Sequence, residues 1–157
     1  MPVLERSQVV PCPRHEVFPF FADAANLERL TPPFLGFEIV SELPDELTAG
    51  TLIDYRIKLN GLPMKWRTLI EVFEPEDLFV DVQLKGPYKL WRHLHTFKDV
   101  PGGTEIGDHV EYALPFGPLG AIAHALVVKR QLKTIFDYRA RIMSELFGAA
   151  DAKPQRS

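Results

Sequence analysis

Hydrophobic and polar positions change period three times along this chain, and each change predicts a change of structure. Val3 to Val10 reads as a first strand. Pro13 then opens a stretch in which Val17, Phe18, Phe21, Leu27 and Leu30 recur at helical spacing, and Pro19 inside it predicts a break into two short helices. From Phe37 to Leu114 the period is two. Thr51, Ile53, Tyr55, Ile57 and Leu59 alternate with Asp54, Arg56 and Lys58; Met64, Trp66, Thr68, Ile70 and Val72 alternate with Lys65, Arg67 and Glu71. Both patterns are those of half-buried strands. Phe79 to Leu84, Tyr88 to Phe97 and Glu105 to Leu114 continue the run, with Gly86-Pro87 and Pro101-Gly102-Gly103 as turns. No helical segment separates these strands, so the sheet is expected to be antiparallel.

Leu119 to Phe147 has no proline and no glycine after Gly120, and Ile122, Leu126, Leu132, Ile135, Phe136, Ile142, Met143, Leu146 and Phe147 trace an apolar stripe. A helix of that length runs roughly 40 Å, enough to cross a sheet. The expected architecture is therefore α+β: a first strand, two short helices, and a curved antiparallel sheet of about six to seven strands wrapped around a long C-terminal helix. The space between sheet and helix is a core or a ligand cavity. Residues 1–147 are expected to form one domain and 148–157 a frayed tail.

Composition narrows the function. The chain has 157 residues, 46% hydrophobic, with 18 basic and 21 acidic side chains and a net charge of -3. No global excess of positive charge exists to hold phosphates, so a general nucleic-acid binder is not expected. Cys12 is the only cysteine, which excludes an internal disulfide and a Cys-rich metal site. No stretch approaches the roughly 18 apolar residues of a membrane span. These features together predict a cytoplasmic protein. There is no Gly-x-Gly-x-x-Gly or Walker-type loop, and Ser7, Ser41 and Ser144 lack the context of a nucleophile elbow. No cofactor is expected.

Phe79-Val80-Asp81, the strand Trp91-Arg92-His93-Leu94-His95-Thr96-Phe97, and Asp108-His109-Val110-Glu111-Tyr112 running into Leu114-Pro115-Phe116-Gly117 carry a resemblance. In this order of elements they resemble bacterial proteins of the START-like superfamily, also called SRPBCC, Bet v 1-like or polyketide cyclase/dehydrase-like. The resemblance spans nearly the whole chain. It implies a helix-grip fold with an internal cavity for lipids or other apolar molecules, and in some members cyclase, dehydratase or hydrolase activity. It also implies, for the subgroup with the Trp-x-His-x-His-x-Phe strand, domains joined to nucleotide-sugar-epimerase-like chains. The Leu30-Thr31-Pro32-Pro33-Phe34 loop and the Leu114 to Leu119 turn resemble the cavity entrance of that superfamily.

Strand parity sorts the candidate chemistry. If Ile53, Tyr55 and Ile57 face the long helix, Asp54, Arg56, Lys58, Lys65, Arg67, Glu71 and Arg92 form a solvated outer face. Trp91, His93, His95 and Phe97 then face the cavity, with Phe79, Asp81 and Gln83 before them and Asp108, Val110 and Tyr112 after. Val80, Val82, Leu84, Leu90 and Leu94 fall on the outer face, and a bulge near Gly86 would reverse this parity. As drawn, His93 or His95 would act as a proton shuttle and Asp108 or Asp81 as its orienting partner. Tyr112 and Gln83 would donate hydrogen bonds to a substrate carbonyl. A satisfied His-Asp network that only rigidifies the sheet has the same pattern. His93-x-His95 with Asp108 could also supply three metal ligands, but without a recognised ligand spacing no metal is expected.

Tyr55, Ile57, Trp66, Phe79 and Trp91 are the apolar candidates for lining a pocket, Tyr55 and Trp66 each adding one polar handle. His109 has the opposite parity from Asp108, and His15 and His124 are isolated. Lys129, Arg130, Lys133, Arg139 and Arg141 form a basic flank of the long helix, expected to be solvated. Three functions stay open: binding of a small, mainly apolar molecule as carrier or sensor, a cyclase or dehydratase using His93, His95 and Asp108, and an interaction module with a filled core. A homodimer or an epimerase-like chain is the protein partner in view.

Overall fold

The computed structural model describes residues 2–59, 61–115 and 117–148, without the side chains of 119–121, 123 and 124. Seven strands form one antiparallel sheet in the order β1-β7-β6-β5-β4-β3-β2. They are β1 (Val3–Val10), β2 (Glu38–Ile39), β3 (Leu52–Leu59), β4 (Leu62–Glu74), β5 (Leu78–Lys85), β6 (Leu90–Val100) and β7 (Gly103–Ala113). Between β1 and β2 lie the short helices α1 (Arg14–Ala22) and α2 (Leu27–Leu30), and α3 (Gly117–Phe147) follows the sheet. This is the helix-grip arrangement expected from the alternation of periods.

Details differ from expectation for local reasons. Pro19 does not break α1: its ring lies on the exposed face and removes one backbone hydrogen bond there. The break falls at Asp23, whose extended backbone leaves the helix and whose carboxylate accepts a hydrogen bond from Ala25 N at 3.0 Å. The β4–β5 pairing has two irregularities, one between Arg67 and Thr68, where Leu84 of β5 near Gly86 is the extra residue, and one between Ile70 and Val72. At the second of these, Glu71 is the extra residue. Val72 therefore turns outward opposite Val80, and Phe73 turns inward opposite Phe79. Parity on β5 and β6 is unreversed. Alternate residues of β6 and β7 are buried without interruption, from Trp91 to Phe97 and from Thr104 to Tyr112.

The apolar interior has two parts. Val17, Phe18 and Phe21 of α1 pack with Phe79, Phe97, Ile106 and Met143. Toward the other end of the sheet, Ile57, Trp66, Trp91 and Tyr112 pack with Val128, Leu132 and Phe136 of α3. The stripe on α3 is thus buried from Val128 onward. Ile122 and Leu126 are 67% and 70% exposed, and Leu146 37%. Phe116 and the tail from 149 lie outside the described residues, as does the side chain of His124.

Two glycines of β7 show where backbones approach closely. A Cβ on Gly103 would sit 1.9 Å from the carbonyl oxygen of Val10, which is backbone and cannot turn aside. A Cβ on Gly107 would meet only the Thr96 hydroxyl, at 2.3 Å, which can rotate. Gly103→Ala is expected to lower the unfolding free energy by about 3 kcal/mol, and Gly107→Ala by well under half of that. Urea titrations of the two variants check the contrast.

Candidate functional site

A cavity of about 170 Å³ lies between the sheet and α3. Phe37, Tyr55, Trp66, Tyr88 and Trp91 line one part of it, in mutual contact: Tyr55 stacks on Trp66 at 5.7 Å between ring centres, and Trp91 meets Trp66 edge-on at 5.6 Å. Ile57 and Phe79 add apolar wall. Asp81, His93, His95 and Arg139 form a polar stretch of the same lining. The polar stretch falls between the two apolar halves, because α3 passes from Leu132 and Phe136 in one half to Met143 in the other with Arg139 one turn from each.

Strand register builds the polar cluster. Asp81 of β5 stands opposite His93 of β6, and His95 stands opposite Asp108 of β7. The hydrogen bonds run diagonally: His95 Nε2 to Asp81 Oδ2 at 2.5 Å, and His93 Nε2 to Asp108 Oδ1 at 2.7 Å. The imidazoles stack at 3.7 Å between centres, and His95 stacks on Phe79 at 4.0 Å. Arg139 closes the cluster from α3, with Nη2 3.4 Å from both Asp108 Oδ1 and His95 Nδ1, and its guanidinium lies over the ring of Phe21.

These contacts assign protons. A guanidinium only donates, so His95 Nδ1 facing Arg139 carries the lone pair, and the ring proton sits on Nε2, donated to Asp81. His95 is therefore neutral. Burial pushes its pKa down to about 4, reinforced by the charge of the neighbouring His93, against the pull of Asp81. Asp108 is held below the usual carboxylate range: burial opposes its ionisation, but the charge of Arg139 and the hydrogen bond from His93 outweigh it. Asp81 is lowered too, its burial offset first by the hydrogen bond from His95 and then by the electrostatics of His93 and Arg139.

The expected site residues are not all equivalent. Tyr55, Ile57, Trp66, Phe79, Asp81, Trp91, His93 and His95 line the cavity. Asp108, 6% exposed, lies behind the histidines, and Tyr112 packs behind Tyr88 and Trp91. Gln83 serves the backbone instead, because its Nε2 donates to Tyr88 O at 2.7 Å and its Oε1 accepts from Tyr88 N at 3.1 Å, which closes the β5–β6 turn. It is not available to a substrate carbonyl. Arg139 corrects the expectation of a solvated basic flank, for it is 7% exposed. The signal for it lies in the spacing: Arg139 stands three residues after Phe136 and four before Met143, on the apolar stripe. Tyr88, which directly follows the Gly86-Pro87 turn, is another lining residue that the pattern does not single out.

His109, 39% exposed, faces Glu5 on the outer side, and His15 is 69% exposed. Among the described residues Asp81, His93 and His95 form one group whose ligand atoms lie within 4.8 Å of one another. Nitrogens of both rings approach the same Asp81 oxygen, His95 Nε2 at 2.5 Å and His93 Nδ1 at 3.8 Å.

Two pH windows follow. The unfolded chain protonates His95 near pH 6.5 and the folded chain only near 4. Stability gained from keeping it neutral is complete above pH 6.5 and declines as pH falls toward 4, by roughly 3 kcal/mol. Asp81 and Asp108 have lowered pKa values, so their contribution is lost at still lower pH, below the unfolded carboxylate pKa near 4. Urea titrations between pH 7 and 4 are expected to show the first decline in the native protein and a flatter profile in His95→Gln. Arg139→Met, which leaves Asp108 buried without its cation, is expected to cost about 3–5 kcal/mol at pH 7.

The family model described as "Polyketide cyclase / dehydrase and lipid transport" matches residues 10–135. No curated protein matches the sequence significantly. Among solved structures, a START superfamily protein from Mycobacterium smegmatis is similar with a TM-score of 0.66 and 11% identity, covering 92% of this chain and 96% of that one. Protein TTHA0849 from Thermus thermophilus gives 0.70 and 16%, covering 92% and 99%. A structure described as a nucleoside-diphosphate sugar epimerase from Corynebacterium glutamicum gives 0.67 and 28%, covering 90% of this chain but only 28% of that one. No helix among the described residues is long and apolar enough to cross a membrane. With a seven-stranded sheet gripping one long helix and a family match over most of its length, the chain belongs to the polyketide cyclase/dehydrase and lipid transport family.

Proposed function

We propose that the protein binds a compact, mainly apolar molecule in the cavity between the sheet and α3, as a cytoplasmic carrier or sensor. The observation that carries this reading is the make-up of the cavity lining, in which the rings of Phe37, Tyr55, Trp66, Tyr88 and Trp91 stand beside a short polar stretch of Asp81, His93, His95 and Arg139. The volume sets the size of what is held. A cavity of about 150 Å³ accommodates benzene, so a body of one or two rings, or a short run of acyl chain, suits the roughly 170 Å³ here. The aromatic lining favours a flat, polarisable body.

A second reading, an enzyme of the cyclase or dehydratase type, is favoured by one feature. Asp81 reaches the cavity with 18% of its side chain exposed, ionised and oriented by the His95 Nε2–H bond. That arrangement suits a carboxylate base with histidine as its support, rather than the reverse assignment of roles. Docking onto an epimerase-like chain or a second copy is a third reading. It rests on the partial likeness to the epimerase structure and calls for a partner that co-purifies.

Native mass spectrometry of the purified protein, followed by extraction of any bound compound, tests the first reading. A discrete added mass lost on denaturation is expected. Ile57→Trp, which fills the cavity, is expected to weaken binding of an apolar fluorescent probe at least tenfold, whereas a surface change such as Lys58→Gln leaves it unaltered. Unchanged probe binding in Ile57→Trp would sink the carrier reading. With the extracted compound as substrate, loss of turnover in Asp81→Asn with retained binding would establish the enzyme.

A further inference from the structure

The end of the sheet at which the cavity meets the β3–β4 and β5–β6 turns has a surface of its own. Leu59 and Leu62 flank the first turn, Lys85 and Leu90 the second, and β7 ends opposite Leu90 at Ala113, four residues before α3 begins. The short 3-10 turn Pro33–Leu35 reaches this end too, since the adjacent Gly36 lies against the Lys58 side chain. Leu35, Phe37, Leu59, Pro87 and Tyr88 line the cavity here.

Large apolar side chains stand in solvent around this opening. Phe34 is 55% exposed, Leu62 66%, Ile122 67% and Leu126 70%. On α3 they do not belong to the buried stripe. Ile122, Leu126, Lys129, Arg130 and Lys133 share the opposite, outward face, apolar in its first turns and basic in the next. Charge is polarised in the same direction. Residues 57–66, 82–91 and 112–132, the segments that make the two turns and the start of α3, carry Lys58, Lys65, Lys85, Lys89, Lys129 and Arg130 and no Asp or Glu, while Arg56, Arg67, Arg92 and Lys133 just beyond them pair with Glu38, Asp54, Glu71 and Asp137. A chain with a net charge of -3 thus gathers six basic side chains and several apolar projections at this end.

We infer that this end docks on the surface of an anionic lipid bilayer, with Phe34, Leu62, Ile122 and Leu126 entering the interface and Lys129 and Arg130 against the head groups. A protruding apolar set rimmed by lysine and arginine on an amphipathic helix face is the combination that peripheral membrane binding uses. An acidic protein groove would complement the charge but does not call for four separated apolar projections from three elements. The inference does not depend on which molecule the cavity holds or on whether it reacts. It does make the opening face the bilayer.

Flotation of the full chain with vesicles of phosphatidylcholine alone, and of phosphatidylcholine with phosphatidylglycerol, tests it. Binding is expected to the mixed vesicles at low salt and to fall as salt is raised. Arg130→Gln is expected to weaken it about fivefold, and Leu126→Ser about tenfold, both at exposed positions and with unchanged circular dichroism. Arg141→Gln, on the C-terminal part of α3, should leave it unchanged. The inference fails if the native chain does not float with the mixed vesicles, or if Arg141→Gln weakens binding as much as Arg130→Gln. It fails as well if native mass spectrometry shows a dimer that Leu126→Ser dissociates, since the surface would then belong to a second copy.

Discussion

The structure depends on keeping a few charges satisfied in an interior that is otherwise hydrocarbon. Asp108 and Arg139 are both nearly inaccessible, and each would be costly to bury alone. Their meeting ties α3 to the middle of the sheet at one register. A shift of the helix by a single turn would put Phe136 or Met143 against the carboxylate and move the guanidinium into an apolar half of the core. The histidines complete the arrangement. Each spends its Nε2–H on a carboxylate, and the stacked rings occupy the space between β5 and β7.

This constraint also decides what the cavity wall can offer. Asp108 has Arg139 and His93 to answer it, while Asp81 has His95 and an open side toward the cavity. With one guanidinium set against two carboxylates, Asp81 keeps acceptor capacity on the cavity side. Asp81, His93, His95 and Arg139 thus both hold the fold in register and form the polar part of the lining.

Strand alternation makes most of this readable in advance. A period of two in β6 and β7 puts Trp91, His93, His95, Asp108 and Tyr112 on one face, because cross-strand geometry leaves little freedom once the faces are assigned. What escapes are effects outside that period. The extra residue at Glu71 flips Val72 and Phe73, and nothing local announces it. Gln83 has the right parity but sits within reach of a turn, and backbone groups of Tyr88 claim both ends of its amide. Charge type groups Arg139 with its basic neighbours, although helical spacing places it among Phe136 and Met143, so here charge misleads where periodicity serves. For Ile122 and Leu126 the reverse holds: apolar character suggests the core, yet the helix turns them away from it.

The described polar bonds that reach α3 from β1 gather on one half of the helix. Arg6 bonds to Lys133 O and Asp137, Gln8 to Ala140 O and Ser144, and Cys12 Sγ to Phe147 O, so these bonds from β1 and the turn after it all fall on the C-terminal half of the helix. Gly148, with its left-handed backbone against Pro11, closes that end. The other half extends over the cavity opening with Val128 as its first buried core side chain among the described residues. Two kinds of contact therefore hold one helix: polar bonds along its C-terminal half fix its position along the sheet, and the packing of Val128, Leu132 and Phe136 on the aromatic cluster sets how closely it covers the cavity.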